Sequence, residues 1–301
     1  MTDTPRLRHR LEAAAAKALL GHLAKRDPDA ASDLGAKLTS AVGPWTGAHR
    51  TAARNLARAF PDWSEEKRQA TLAAAWDNLG RTTAEYAVIP QLARDGWQER
   101  ITVTGHEALA DLGRAGKPAL LFSGHLGNWE MIPLALSKVA RPLTIVYRPP
   151  NNRAVDAMVG EVRKAYTAGM APKGAAGARV ILKALARDAQ VFMVVDQKIN
   201  AGMEIPFFGR GAFTGPAIAL FAMRFNVPVF PVRCVRTDRC RFEVRVEDPW
   251  TFAGSDSDED ALRAALTRIN GRIEDWVREY PGQWLWMHKR WPKDEDVTSS
   301  P

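Results

Sequence analysis

The sequence contains only two cysteines, Cys234 and Cys240, with no C-x-x-C pair and no Cys/His spacing of a zinc site. A zinc knuckle is thereby excluded, and no metal centre is expected. So few cysteines fit a reducing compartment, although a disulfide across a hairpin between these two is an open alternative. There is no run of 18 apolar residues and no cleavable signal peptide. These absences speak against a membrane-spanning helix and point to the cytosol or the cytoplasmic face of a membrane. The G-x-S-x-G elbow of serine hydrolases is missing, as are RRM, KH and helix-turn-helix signatures. No internal repeat is evident.

Hydrophobic residues make up 46% of the 301-residue chain, enough for a large core and too much for a disordered protein. Lys and Arg number 42 against 34 Asp and Glu, a formal charge of +8. A basic surface attracts nucleic acid, anionic lipid or an acidic protein. The first 26 residues read as a basic helix with Leu11, Ala15, Ala18 and Leu19 along one side. Such a helix can lie on an anionic membrane or serve as an ordinary surface helix.

Residues 1–95 read as helical, 96–292 as an α/β core and 293–301 as a disordered tail. Ser64 is a plausible N-cap, followed by Leu72, Trp76, Leu79, Thr83 and Tyr86 at helical spacing. Beyond residue 100, short β-rich runs alternate with helical stretches at 153–167, 178–188 and 215–225. The runs 229–236 and 240–246 suggest an antiparallel hairpin. The expected class is α/β, with a mixed central sheet flanked by helices and a helical N-terminal region. A late helix begins with a Ser257 to Asp260 capping box and carries Leu262, Leu266, Ile269, Ile273 and Trp276 on one face.

The candidate chemistry lies in "LFSGHLGNWEMIP", residues 121–133. His125 falls at the carboxyl end of a buried strand, where α/β sheets place ligands. Glu130 follows in an H-x4-E spacing. The two could meet if His125 sits in the turn and Glu130 in the first turn of a helix, with Gly124, Gly127 and Asn128 supplying the turn and Pro133 fitting a helix start. A carboxylate on one imidazole nitrogen leaves the other free as a base. Taken bare, this spacing is weak, occurs often by chance and favours an ordinary polar turn.

The segments "GHLGNWE", "VYRPPNN", "MVVDQKINAGMEIPFFGRGAFT" and "PGQWLWMHKRW" occur in that order, with "RNLARAFPDWSEEKR" upstream. Together they resemble the bacterial lipid A biosynthesis acyltransferase family, within the wider H-x4-D/E glycerolipid-type acyltransferases. The resemblance implies transfer of a fatty acyl chain from acyl carrier protein to a hydroxyl of a lipid A precursor, with no cofactor and no acyl-enzyme. It implies His125 as general base, oriented by Glu130, and Arg163 as a cation for the oxyanion or an acceptor phosphate. Asp196 would position the acceptor, with Arg148 and Asn128 assisting. Expected partners are acyl carrier protein, the lipid A precursor and an anionic membrane surface, with no nucleic acid. The expected location is the cytoplasmic face of the inner membrane, peripherally or weakly anchored. A coenzyme A-dependent enzyme acting on another glycolipid, such as a phosphatidylinositol mannoside, is the alternative.

Other features admit two readings. Arg148, Arg153, Arg163, Lys164, Lys173 and Arg179 could form a phosphate or carrier-protein site, or a solvated face. Trp284, Trp286 and Trp291 could form an interfacial belt, or belong to a last core strand. "MEIPFFGRGAFTGPA" could shape an acyl channel or be a plain loop. His288 reads as a packed or exposed histidine.

Overall fold

The computed structural model describes residues 7–150 and 152–292. The tail at 293–301 and the side chain of Leu11 therefore lie outside the described residues. Five helices come first: α1 (Leu7–Leu23), α2 (Pro28–Val42), α3 (Gly47–Ala59), α4 (Glu65–Glu85) and α5 (Ile89–Arg94). On α1, Ala15, Ala18 and Leu19 are exposed and Leu23 is buried. Ser64 caps α4 by accepting the Lys67 N–H. Where α2 and α4 cross, Gly35 faces Gly80; a Cβ on Gly35 would stand 2.4 Å from the Gly80 carbonyl oxygen. Only glycine permits that approach.

The core alternates strands and helices: β1 (Ile101–Thr104), α6 (Glu107–Arg114), β2 (Ala119–Ser123), α7 (Met131–Val139), β3 (Leu143–Tyr147), α8 (Arg153–Lys164), β4 (Thr167–Pro172), α9 (Ala175–Leu185) and β5 (Gln190–Val194). A two-stranded unit, β6 (Met203–Phe207) with β7 (Arg210–Thr214), precedes α10 (Ala217–Phe225), β8 (Val229–Asp238), β9 (Arg241–Val246) and α11 (Glu259–Glu279). The seven-stranded sheet runs β1-β9-β8-β2-β5-β3-β4. All its pairs are parallel except β8 with β9, the expected hairpin. The fold is thus the expected mixed α/β sheet flanked by helices. β2 is buried along its whole length: Leu120 and Phe122 face Leu266, Ile273 and Trp276, while Leu121 faces the side of Ile89, Met131 and Leu134.

Several local expectations need correction. Strand β4 reads "TAGMAP", small residues of weak β preference on a sheet edge, so no apolar run announces it. The "MEIPFFGRGAFT" segment is a hairpin, not a loop. Helix α11 is capped by Asp258, which accepts the Ala261 N–H, rather than by a Ser257–Asp260 box. Trp284, Trp286 and Trp291 are buried, which removes the interfacial belt, yet they stand in irregular backbone after α11 rather than in a strand. Cys234 and Cys240 are free thiols, both buried, and burial pushes the Cys234 thiol up to about 12.

The inner face of α4 carries a polar row that a hydrophobic stripe does not reveal. Asn78, Thr82 and Glu85 are buried at spacings of four and three, whereas Thr83 is exposed. Asn78 Nδ2 and Thr82 Oγ1 each donate to the Gly127 carbonyl at 3.0 Å. The Glu85 carboxylate accepts from Ser32 Oγ and Asn128 Nδ2, both at 2.7 Å, and takes a two-pronged bond from Arg236 of β8. Gly127 itself has φ +56°, and a Cβ there would lie 2.4 Å from the Cys234 carbonyl oxygen. One fully buried carboxylate thus ties α2, α4, β8 and the loop after β2 together. Removing one partner of such a pair leaves the other charged and unpaired. Glu85→Ala should cost about 3–5 kcal/mol of folding stability, read from urea denaturation.

Candidate active site

Strands β2 and β5 are parallel neighbours, with Ser123 opposite Val194. Two residues past each partner stand His125 and Asp196, so the sheet register brings them out side by side. The bond from Val195 N–H to the Ser123 carbonyl, at 3.0 Å, keeps the pairing one step beyond the strands. The Asp196 carboxylate accepts the His125 backbone N–H at 2.7 Å and meets the ring Nδ1 at 2.5 Å. It also accepts Trp284 Nε1–H at 2.7 Å. Asp196 is fully buried. Burial alone would raise its carboxyl; the His125 charge and hydrogen bonds outweigh that and hold it well below the usual range. An ionised Asp196 makes Nδ1 the protonated nitrogen and Nε2 the basic one. Gln197 Nε2 lies 3.2 Å from that Nε2 and donates to it.

Glu130 does not take the orienting role. It occupies the N-cap position of α7 and turns to Arg163 on α8, which donates Nε–H to Oε2 at 3.0 Å and Nη2–H to Oε1. Tyr166 O–H also donates to Oε2 at 3.0 Å, and Arg163 Nη2 reaches the Tyr86 oxygen at 3.4 Å. Burial would raise the Glu130 carboxyl, but Arg163 and the two tyrosines bring it below its ordinary value. Burial would lower the Arg163 guanidinium, and Glu130 overcomes it. The expected His125–Glu130 contact is therefore replaced by two pairs, His125–Asp196 and Glu130–Arg163. The physical reason is placement: Asp196 emerges from the neighbouring strand beneath the imidazole, while Glu130 opens a helix and faces α8.

His125, Glu130 and Arg163 all line one cavity of about 1020 Å³. Its walls are mostly apolar: Val146, Ile181, Met193, Ile199, Ile218 and Leu220 contribute, with Gly215 and Pro216 just beyond β7. Among the described residues, its lining includes no serine, threonine or cysteine. Ser123, the nearest hydroxyl in sequence, is buried and donates to the Gly124 carbonyl at 3.2 Å.

The remaining expected residues separate. Arg148 is exposed and lines the cavity. Asn128 is fully buried, donating to Glu85 and accepting the Glu130 N–H at 3.1 Å, so it shapes the loop rather than meeting a substrate. Asp196 lies behind His125, fully buried and outside the cavity lining. The basic cluster also divides: Arg163 is buried, Lys164 pairs with Glu161 on the surface, and Lys173 joins the cavity wall.

No role at the site was assigned from the sequence to Trp284, Gln197, Tyr86, Tyr166 or His288. The usable signal was that "PALLFSGH" and "QVFMVVDQ" each end an apolar run with a titratable residue, as adjacent parallel strands would require. Nothing in the sequence singled out the tyrosines. His288 packs edge-on to Trp284, with ring centroids 5.1 Å apart, and lies 6.4 Å from the His125 ring. Its Nδ1–H donates to the Leu285 carbonyl at 2.7 Å.

A family model described as bacterial lipid A biosynthesis acyltransferase matches residues 5–293. The chain is 22% identical over 249 residues to a phosphatidylinositol mannoside acyltransferase from Mycolicibacterium smegmatis, covering 80% of this chain and 79% of that protein. It is also similar to the crystal structure of a 1-acyl-sn-glycerophosphate acyltransferase from Thermotoga maritima, with a TM-score of 0.40 and 12% identity over 84% of this chain and 96% of that one.

Burial pushes the His288 imidazole down to about 4 from an ordinary 6.5. Between those values the unfolded chain binds a proton at residue 288 that the folded protein does not. Stability contributed by this group is therefore complete above that window and falls as pH drops through it. Asp196 and Glu130, held low when folded, add losses only once pH falls toward and below their ordinary 3.8 and 4.5. His288→Gln should flatten the decline of the urea midpoint across the histidine window, relative to the unaltered protein.

Proposed function

Since the chain belongs to the bacterial lipid A biosynthesis acyltransferase family and is an acyltransferase, we propose that it moves a fatty acyl chain from acyl carrier protein to a hydroxyl of a lipid A precursor. The observation that carries the mechanism is the His125–Asp196 pair at the wall of the apolar cavity. In this reading His125 Nε2 takes the proton of the acceptor hydroxyl, displacing the Gln197 amide. The oxygen attacks the thioester carbonyl and forms the ester bond. Collapse of the tetrahedral intermediate breaks the C–S bond, and the imidazolium returns the proton to the leaving thiolate. Asp196 stabilises the imidazolium and fixes its tautomer. No acyl-enzyme is needed in this reading, and the lining includes no serine, threonine or cysteine among the described residues to form one.

The acyl chain occupies the apolar cavity, whose volume is at the upper end of the roughly 300–1,000 Å³ usual for ligand sites. Each buried methylene contributes about 0.8 kcal/mol, so depth of the cavity sets a graded preference for chain length. Arg163, held by Glu130 at the cavity wall, supplies the fixed cation for the oxyanion or an acceptor phosphate. Two of its nitrogens are engaged, and Nη1 makes no hydrogen bond among the described residues. Glu130 thus acts through Arg163 rather than through His125. The +8 charge favours an acidic carrier protein and anionic lipid. No helix among the described residues is long and apolar enough to cross a membrane, and the proposal places the protein peripherally on the cytoplasmic face of the inner membrane.

A coenzyme A donor and a phosphatidylinositol mannoside acceptor form the second reading; its acceptor is that of the similar mycobacterial phosphatidylinositol mannoside acyltransferase. Parallel assays with acyl carrier protein and coenzyme A thioesters separate the two; saturation by coenzyme A donors alone would replace the first with the second. His125→Ala and Asp196→Asn should each lower kcat by about 10²–10⁴-fold, the span of general-base effects. Asp196→Asn should leave the acceptor KM within a few-fold. Normal turnover by either variant in a steady-state transfer assay would overturn the proposed chemistry.

A further inference from the structure

Beside the apolar cavity lies a smaller pocket of about 530 Å³. Four cations line it, from four separate parts of the chain: Arg54 of α3, Arg148 after β3, Lys198 after β5 and Lys289 after α11. Asp and Glu are absent from its lining among the described residues. None of the four forms an ion pair there either, whereas Arg81, Arg100, Arg163, Arg236 and Arg272 are all paired with carboxylates. Four like charges around one concavity repel each other unless an anion enters, and a concave wall strengthens the field there.

The pocket is built rather than incidental. Asn55, next to Arg54, is buried and donates to the carbonyls of Trp286 and His288 at 2.9 and 2.7 Å. Helix α3 is thereby pinned to the segment that carries Lys289, which fixes the relation of two of the cations. Lys198 stands over the Phe213 ring, 5.7 Å from its centre. His288, a further lining residue, is neutral at ordinary pH because burial depresses it, so the charge comes from the arginines and lysines. Arg148 and Gln197 line both this pocket and the apolar cavity, and Gln197 is the residue bonded to His125 Nε2. An anion held here would be anchored within one small molecule's reach of the catalytic base.

We propose that this pocket binds a phosphate group of one of the two substrates, anchored by Arg54, Lys198 and Lys289 with Arg148 at the junction. A phosphate is favoured over a carboxylate because several cations from different directions match an anion with oxygens on all sides. The phosphate can come from the acceptor headgroup or from the pantetheine arm of the donor. This deepens the acyltransfer reading and rests on it for the identity of the substrates, though not for the existence of the site.

Inorganic pyrophosphate titrated into the full-length protein at low ionic strength, followed by calorimetry, tests the site without acyl transfer. The Lys198→Gln/Lys289→Gln double variant should bind pyrophosphate at least about tenfold more weakly, since each charged hydrogen bond lost is worth about that factor or more. The exposed Lys37→Gln variant on α2 serves as the control for non-specific attraction. Equal binding by the double variant and the unaltered protein, or an equal loss in the control, would overturn the proposal. Kinetics then assign the source. A rise in KM confined to a phosphorylated acceptor, absent with its dephosphorylated form, assigns the acceptor. A rise that follows phosphopantetheine donors but not an acyl-pantetheine lacking phosphate assigns the donor. A rise in neither sinks the proposal. If no acyl transfer occurs but the double variant still loses pyrophosphate, the functional reading fails and the site stands.

Discussion

The Asp196 carboxylate is the constraint on which the site depends. It is fully buried and ionised, an arrangement that is costly unless every oxygen is well supplied with donors. The donors come from two distant parts of the chain: the backbone and ring of His125 after β2, and the indole of Trp284 after α11. Meeting that requirement fixes the imidazole rotamer, the tautomer and the docking of the tryptophan-rich segment together. The bridge between Leu126 and Trp284 and the bond from Leu285 N–H to the His125 carbonyl, at 3.0 Å, complete the clasp. The proposed base is held by the same contacts that close the core.

A second buried carboxylate, Glu85, does for the loop what Asp196 does for the ring. Through Asn128 it holds the turn between His125 and Glu130, and through Arg236 it joins that turn to β8. The third, Glu130, fixes Arg163 at the cavity wall. Each carboxylate has its own cation or donor set, and the three do not exchange partners. This division lets one short loop carry the proposed base, a turn and a cation anchor, each buried carboxylate with its own donors.

The arrangement around His125 suits a reaction between two different substrates. On one side the apolar cavity is suited to a chain whose affinity comes from burial of methylenes. On the other lies the cationic pocket proposed for a substrate phosphate, and Gln197 and Arg148 stand where the two spaces meet. Hydrophobic burial is non-directional, so it can hold a chain without fixing its end. Fixed polar groups around His125 supply the direction.

The sequence by itself determined the fold class and the family, and it singled out His125 as the candidate base. Apolar runs and helical spacing made β2, β5, β8, β9 and α11 legible because each buries a regular face, and the ordered motifs supplied the family. Strand β4 was hidden by its small edge residues. The polar face of α4 was hidden because buried hydrogen bonds leave no hydrophobic period. The choice of carboxylate was decided only by tertiary structure. Glu130 is five residues from His125 in the chain and Asp196 seventy-one, but parallel register places Asp196 beneath the ring while the start of α7 turns Glu130 toward α8. Spacing along a chain fixes direction only within one element. Between elements, sheet register and the need to satisfy each buried charge decide which side chains meet.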